Sequence, residues 1–77
     1  MEHDLKIESY YFDQVIRGIK KFELRKNDRD FEIGDIITLR EVDIVGRETG
    51  EKRTVQIQYV FYGGQYGLSE DYCIFNW

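Results

Sequence analysis

The chain has 77 residues, a formal charge of −4 and one cysteine. That length predicts a single domain over residues 1–77 with a modest core, since chains of this size bury about 60% of their unfolded surface. A disulfide within the chain is excluded, and a reducing, cytoplasmic location is the default expectation.

Met1–Ser9 is charged and lacks an apolar stretch, so no signal peptide is expected, and no run is long enough to span a membrane. His3 and Cys73 are too few for a structural zinc site, and no metal or cofactor is expected. Five Phe, six Tyr and one Trp supply large buried areas per residue, which offsets the small size.

His3–Ile7 alternates apolar and polar residues and predicts a short strand, with His3 on the Leu5 face as a hydrogen-bonded structural residue. Ser9 predicts an N-cap for a helix over Tyr10–Arg17, whose apolar face is Tyr11, Phe12, Val15 and Ile16. Gly18 follows as the C′ residue. Phe22 and Leu24 alternate with Lys21, Glu23 and Arg25 in a strand from Lys20 to Lys26. Apolar residues are expected inward there, leaving Glu23 and Arg25 as outward neighbours about 7 Å apart.

Asn27–Asp30 reads as a turn, with Phe31 and Ile33 as apolar anchors beyond it, and Gly34-Asp35 as a tight turn. Ile36–Asp43 predicts a strand with Ile37 and Leu39 inward. Strict alternation places Glu41 inward too, so either a bulge intervenes or Glu41 sits at a cleft rim with a cationic partner. Ile44–Lys52 reads as a hairpin loop and Arg53–Tyr62 as one long strand with Val55, Ile57, Tyr59 and Phe61 on one face. Gly63–Gly67 is a turn that carries Tyr66, a candidate stacking surface. Tyr72–Trp77 predicts a last strand, with Cys73 as a small core residue.

Short loops between strands point to a mostly antiparallel, mainly β (α+β) fold: about five strands curled into a small barrel, with one N-terminal helix.

The charge is polarised. Arg17–Arg29 holds six cations against two anions, a local balance of +4, so the rest of the chain sums to −8. A basic stretch of this kind attracts a phosphate- or carboxylate-bearing ligand despite the acidic total.

The pattern Gly18-x-Lys20-x-Phe22-Glu23-x-Arg25-Lys26-Asn27-Asp28-Arg29, followed by Phe31 and Gly34-Asp35, with His3, Leu5, Lys6 and Phe12 before it and Glu41, Thr49 and Gly50 after, carries a resemblance over nearly the whole chain. It resembles the ASCH-domain group of the PUA-like superfamily, and especially a small branch known as a domain of unknown function, DUF3850. The resemblance implies a β-barrel-like fold with a cleft beside the motif and, less directly, nucleic-acid-related binding.

Three functions follow as expectations. The first is a module binding RNA or a nucleotide-like ligand, single-stranded and of short footprint, through Lys20, Glu23, Arg25, Lys26, Asn27, Arg29 and Tyr66: cations on phosphate, Glu23 on a base edge, Tyr66 stacked on a base. The second is a small amidohydrolase or ribonuclease acting on a modified nucleoside or RNA. Relatives of the resemblance include amidohydrolases using a Lys–Thr–Glu set. Here Lys20 matches the lysine, but Glu23 stands at the threonine position, so catalysis has only Lys20, Glu23 and Glu41 as candidates. The third is a protein-interaction domain using Phe75 and Trp77.

Overall fold

The computed structural model, which describes residues 1–77, is mainly β with a single short helix. Its elements are β1 (Glu2–Glu8), α1 (Ser9–Ile16), β2 (Phe22–Lys26), β3 (Ile36–Val42), β4 (Glu48–Gln56), β5 (Tyr59–Tyr62) and β6 (Tyr72–Asn76). The six strands form two three-stranded sheets, ordered β1-β3-β4 and β2-β6-β5. Strand pairing does not close them into a barrel. β1 and β3 run parallel and the other three pairs antiparallel. The parallel pair needs a long crossover, and the helix, β2 and the turn after it supply that connection.

β1 behaves as its alternation predicts. His3, Leu5 and Ile7 are buried and the residues between them exposed. The helix buries Phe12 and Val15 and leaves Tyr11 and Ile16 each 43% exposed. It starts at Ser9, whose hydroxyl donates to the Val42 carbonyl at 2.9 Å instead of capping the helix. Glu8 is the N-cap residue, without a side-chain capping bond. Gly18, with φ of +74°, ends the helix in the left-handed conformation that a glycine adopts at least cost.

Two stretches depart from their sequence pattern. The segment 44–52 is not wholly a loop, because β4 begins at Glu48 and includes Thr49 and Gly50. Its exposed, polar faces leave no alternation to read. Nor is Arg53–Tyr62 one strand. The chain passes from one sheet to the other at Ile57–Gln58, where the Ile57 amide bonds the Asp35 carbonyl and the Gln58 amide bonds the Asn76 carbonyl. The inward face changes parity there, so Ile57 and Val60 are buried while Tyr59 is 59% exposed.

The core is a cluster of eleven buried residues drawn from both sheets and the helix. Phe31 sits at its centre, with its ring centroid 4.9 Å from both His3 and Phe75. Ile33, expected to be an anchor, is 63% exposed. Phe75 is fully buried, and Trp77 is partly buried and packs against the core. Cys73 is fully buried, and burial, with a smaller effect from the Asp28 charge, pushes its thiol up from its ordinary value.

Asp35 fastens the start of β1 to the turn before β3. Its carboxylate lies 2.8 Å from His3 Nε2, accepts the Glu32 amide at 3.1 Å and meets the Met1 ammonium at 3.1 Å. Burial alone would raise the Asp35 pKa. These bonds and the ammonium charge outweigh it and hold the carboxyl below its ordinary value.

Candidate functional site

β2 presents its charged face to the interior. Glu23 is 6% exposed, whereas Phe22 and Leu24 are 49% and 51% exposed, the reverse of the alternation expected from their apolarity. The register shows why: Glu23 stands opposite Phe75 and Arg25 opposite Cys73, and both of those β6 residues are fully buried. The inner face of the sheet is fixed by β6, and β2 must share it.

A carboxylate tolerates that position only when its charge is matched and its oxygens are bonded. Both conditions are met. Lys20 Nζ donates to Glu23 Oε1, and Arg25 Nε donates to Glu23 Oε2 at 2.7 Å. The turn after Gly18 sets Lys20 in place: the amides of Ile19 and Lys20 both bond the Gln14 carbonyl of the helix. Lys20 Nζ also donates to the Phe22 carbonyl at 2.6 Å and lies 4.8 Å from the Phe22 ring centroid and 5.6 Å from that of Tyr11. Arg25 Nη2 reaches the other sheet, donating to the Lys6 carbonyl at 2.6 Å.

β1 and β2 are both edge strands. Between them lies a cleft of about 460 Å³, with Lys6, Ile7 and Glu8 on the β1 side, Tyr11 from the helix, and Lys20 and Phe22–Arg25 on the β2 side. The seam between the two sheets is thus bridged by side chains instead of a backbone ladder. Three cations and two carboxylates line it. Each Glu23 oxygen accepts one bond, while one Lys20 proton and three of the five Arg25 N–H groups remain without a protein acceptor. The cleft combines fixed cationic donors with two aromatic rings, a chemistry suited to a planar ligand rich in acceptors. No serine, threonine or cysteine lines it, so it offers no hydroxyl or thiol nucleophile other than the Tyr11 phenol.

Of the residues singled out from sequence, Lys20, Glu23 and Arg25 come together here. The others lie elsewhere. Lys26 ends β2 opposite Tyr72. Asn27 accepts the Phe31 amide on its Oδ1 at 3.0 Å, a turn-forming role. Arg29 Nη1 donates to the Asp4 carbonyl at 2.6 Å and borders a neighbouring groove. Tyr66 is 93% exposed in the loop after β5, tilted against Phe61, and does not line the cleft. Glu41 sits at a register shift in β3 and accepts the Thr49 hydroxyl at 2.6 Å, which realises the bulge and supplies no cationic partner.

Among the cleft residues missed from sequence are Lys6, which reads as an ordinary outward position of β1, and Tyr11, which reads as part of the helix's apolar face. The one usable signal for Tyr11 was its hydroxyl, which favours a half-exposed boundary over the interior. No group of three or more His, Cys, Asp or Glu residues gathers to hold a metal ion.

Comparison with known proteins supports the DUF3850 part of the resemblance. An uncharacterized 12.9 kDa protein in the GpA 3′ region of Escherichia phage P2 is 42% identical over 55 residues, covering 71% of this chain. The chain spans 50% of that relative's length. A family model described as a domain of unknown function, DUF3850, matches residues 2–77. With that match running through every strand and the cleft, the chain belongs to the DUF3850 family.

Proposed function

We propose that this protein is a binding module for RNA or a nucleotide-like ligand, taken into the cleft between β1 and β2. The observation that carries the reading is the Lys20–Glu23–Arg25 unit. It fixes two cations at a sheltered position beside the rings of Tyr11 and Phe22. A base edge presents acceptors for those donors, and its ring stacks on an aromatic wall. The resemblance to ASCH and other PUA-like domains favours the same reading. The acidic remainder of the chain disfavours a long polyanion, so the footprint is one or a few nucleotides.

The test is equilibrium binding of short single-stranded RNAs and free nucleosides at low and moderate salt, with Lys20→Ala and Arg25→Ala as controls. Salt-sensitive binding that both variants weaken is expected. Binding that neither variant changes defeats the proposal. Product formation in the same mixtures would instead favour a hydrolase.

A further inference from the structure

We infer that the groove next to the cleft is a phosphate subsite, built to take a phosphomonoester on the ligand whose base enters the cleft. The inference rests on the cleft reading above and adds to it two residues, Arg29 and Arg40, and a ligand class.

The groove has a volume of about 430 Å³ and is walled by Arg25, Arg29, Arg40 and Lys6, with Asp4 and Glu48 as its two carboxylates. Four cations against two anions give a surplus of two positive charges in a chain whose total is −4. Lys6 and Arg25 line both the groove and the cleft, so the two spaces adjoin through these side chains. A ligand with a ring in one and an anion in the other would straddle the Lys6–Arg25 contact.

The three guanidinium groups are oriented before any ligand arrives. Arg25 Nη2 donates to the Lys6 carbonyl at 2.6 Å and Arg29 Nη1 to the Asp4 carbonyl at 2.6 Å, both on β1. Arg40 Nε donates to Asp4 Oδ1 at 3.2 Å. Each bond uses one N–H of a planar five-donor fork, so Arg29 and Arg40 each keep four donors and Arg25 three after its bond to Glu23. Held forks lose little entropy on binding, and their geometry matches the several oxygens of a phosphate dianion better than it matches a single carbonyl. The same bonds shield the free edge of β1 from another strand, a structural benefit that does not consume the remaining donors.

The experiment compares the four common ribonucleosides with their 5′-monophosphates, and trinucleotides with and without a terminal phosphate, by calorimetry at low salt. The variants are Arg29→Gln, Arg40→Gln and Glu48→Gln, each checked for folding by circular dichroism. In the unmodified protein the monophosphate is expected to bind about tenfold tighter than its nucleoside, the value of one charge-assisted contact. Arg29→Gln and Arg40→Gln should erase most of that advantage, lowering monophosphate affinity far more than nucleoside affinity. Glu48→Gln, which only removes an anion, should enlarge it. A matching gain on the phosphorylated trinucleotide assigns the site to RNA ends; a gain confined to mononucleotides assigns it to free nucleotides.

Equal binding of nucleoside and monophosphate overturns the phosphate subsite alone. An advantage that survives in both arginine variants also overturns it. Failure of every compound to bind overturns the cleft reading and this inference together.

Discussion

Glu23 and Phe75 stand opposite one another in the β2–β6 pair, and both side chains enter the interior. A carboxylate beside a fully buried ring is costly unless its charge is matched within bonding distance. Lys20 and Arg25 match it from either side, with side chains only 12% and 26% exposed. The three residues are therefore one unit: each fixes the geometry of the others, and removing one strands the rest.

Glu23→Ala is accordingly expected to lower stability by about 2–3 kcal/mol, somewhat less than for a fully buried pair because Arg25 reaches solvent. Urea denaturation measures it. The triple change Lys20→Met, Glu23→Leu, Arg25→Leu removes all the charges together and should regain most of that loss while abolishing ligand binding. A triple variant that still binds would show that the unit is structural only.

The inverted face of β2 has a direct test in its leucine. Leu24 is 51% exposed and Leu39 fully buried. Leu24→Ala should cost less than about 1 kcal/mol, and Leu39→Ala about 2–5 kcal/mol. Equal costs would return Leu24 to the core and contradict the register of β2 against β6.

Acid should unfold the protein partly through Asp35. Its carboxyl is held below the ordinary value of 3.8 in the folded state, so the unfolded chain takes up protons first as the pH falls. The stability this group supplies is complete above about pH 4–5 and is lost as the pH drops through the folded value. Asp35→Asn should flatten the pH dependence of thermal stability below about pH 5. It should also destabilise at neutral pH, where the contacts with His3 and the Met1 ammonium lose their anion. A variant with the same acid profile as the parent would assign that profile to other groups.

Gly63 is required by space. A Cβ there would lie 1.8 Å from the Ser69 carbonyl oxygen and 2.6 Å from that of Tyr72, both main-chain atoms that cannot swing aside. Gly63→Ala should cost about 1–3 kcal/mol. Gly67→Ala serves as its comparison: a Cβ there meets nothing within 4 Å, so its cost comes only from the left-handed φ of +80°. A Gly63→Ala variant no worse than Gly67→Ala would contradict the packing of this loop on β6.

Much of the architecture was legible from residue patterns. The alternation of His3, Leu5 and Ile7, the apolar spacing around Phe12 and Val15, and the stop at Gly18 are local signals that tertiary contacts do not override. The sequence pattern failed where local rules compete with neighbours. Phe22 and Leu24 look like core residues because they are apolar, yet β6 already fixes which face of the sheet is inside. The unbroken alternation from Arg53 to Tyr62 conceals a corner whose cause, hydrogen bonding of Ile57 and Gln58 to distant carbonyls, is nonlocal. Lys20, Glu23 and Arg25 of the motif meet in one place. Asn27, from the same motif, lies in a turn, and Tyr66, from the loop after β5, lies away from the cleft; nothing in their local pattern marks that separation.

The most direct measurement of the central claim is a map of backbone amide shifts in the ¹⁵N-labelled protein as a short single-stranded RNA or a nucleoside monophosphate is added. The account predicts saturable perturbations concentrated at Lys6, Tyr11, Lys20, Glu23 and Arg25. No saturable shift at high ligand concentration, or shifts confined to the loop around Tyr66 and the outer face of β5 and β6, would contradict it.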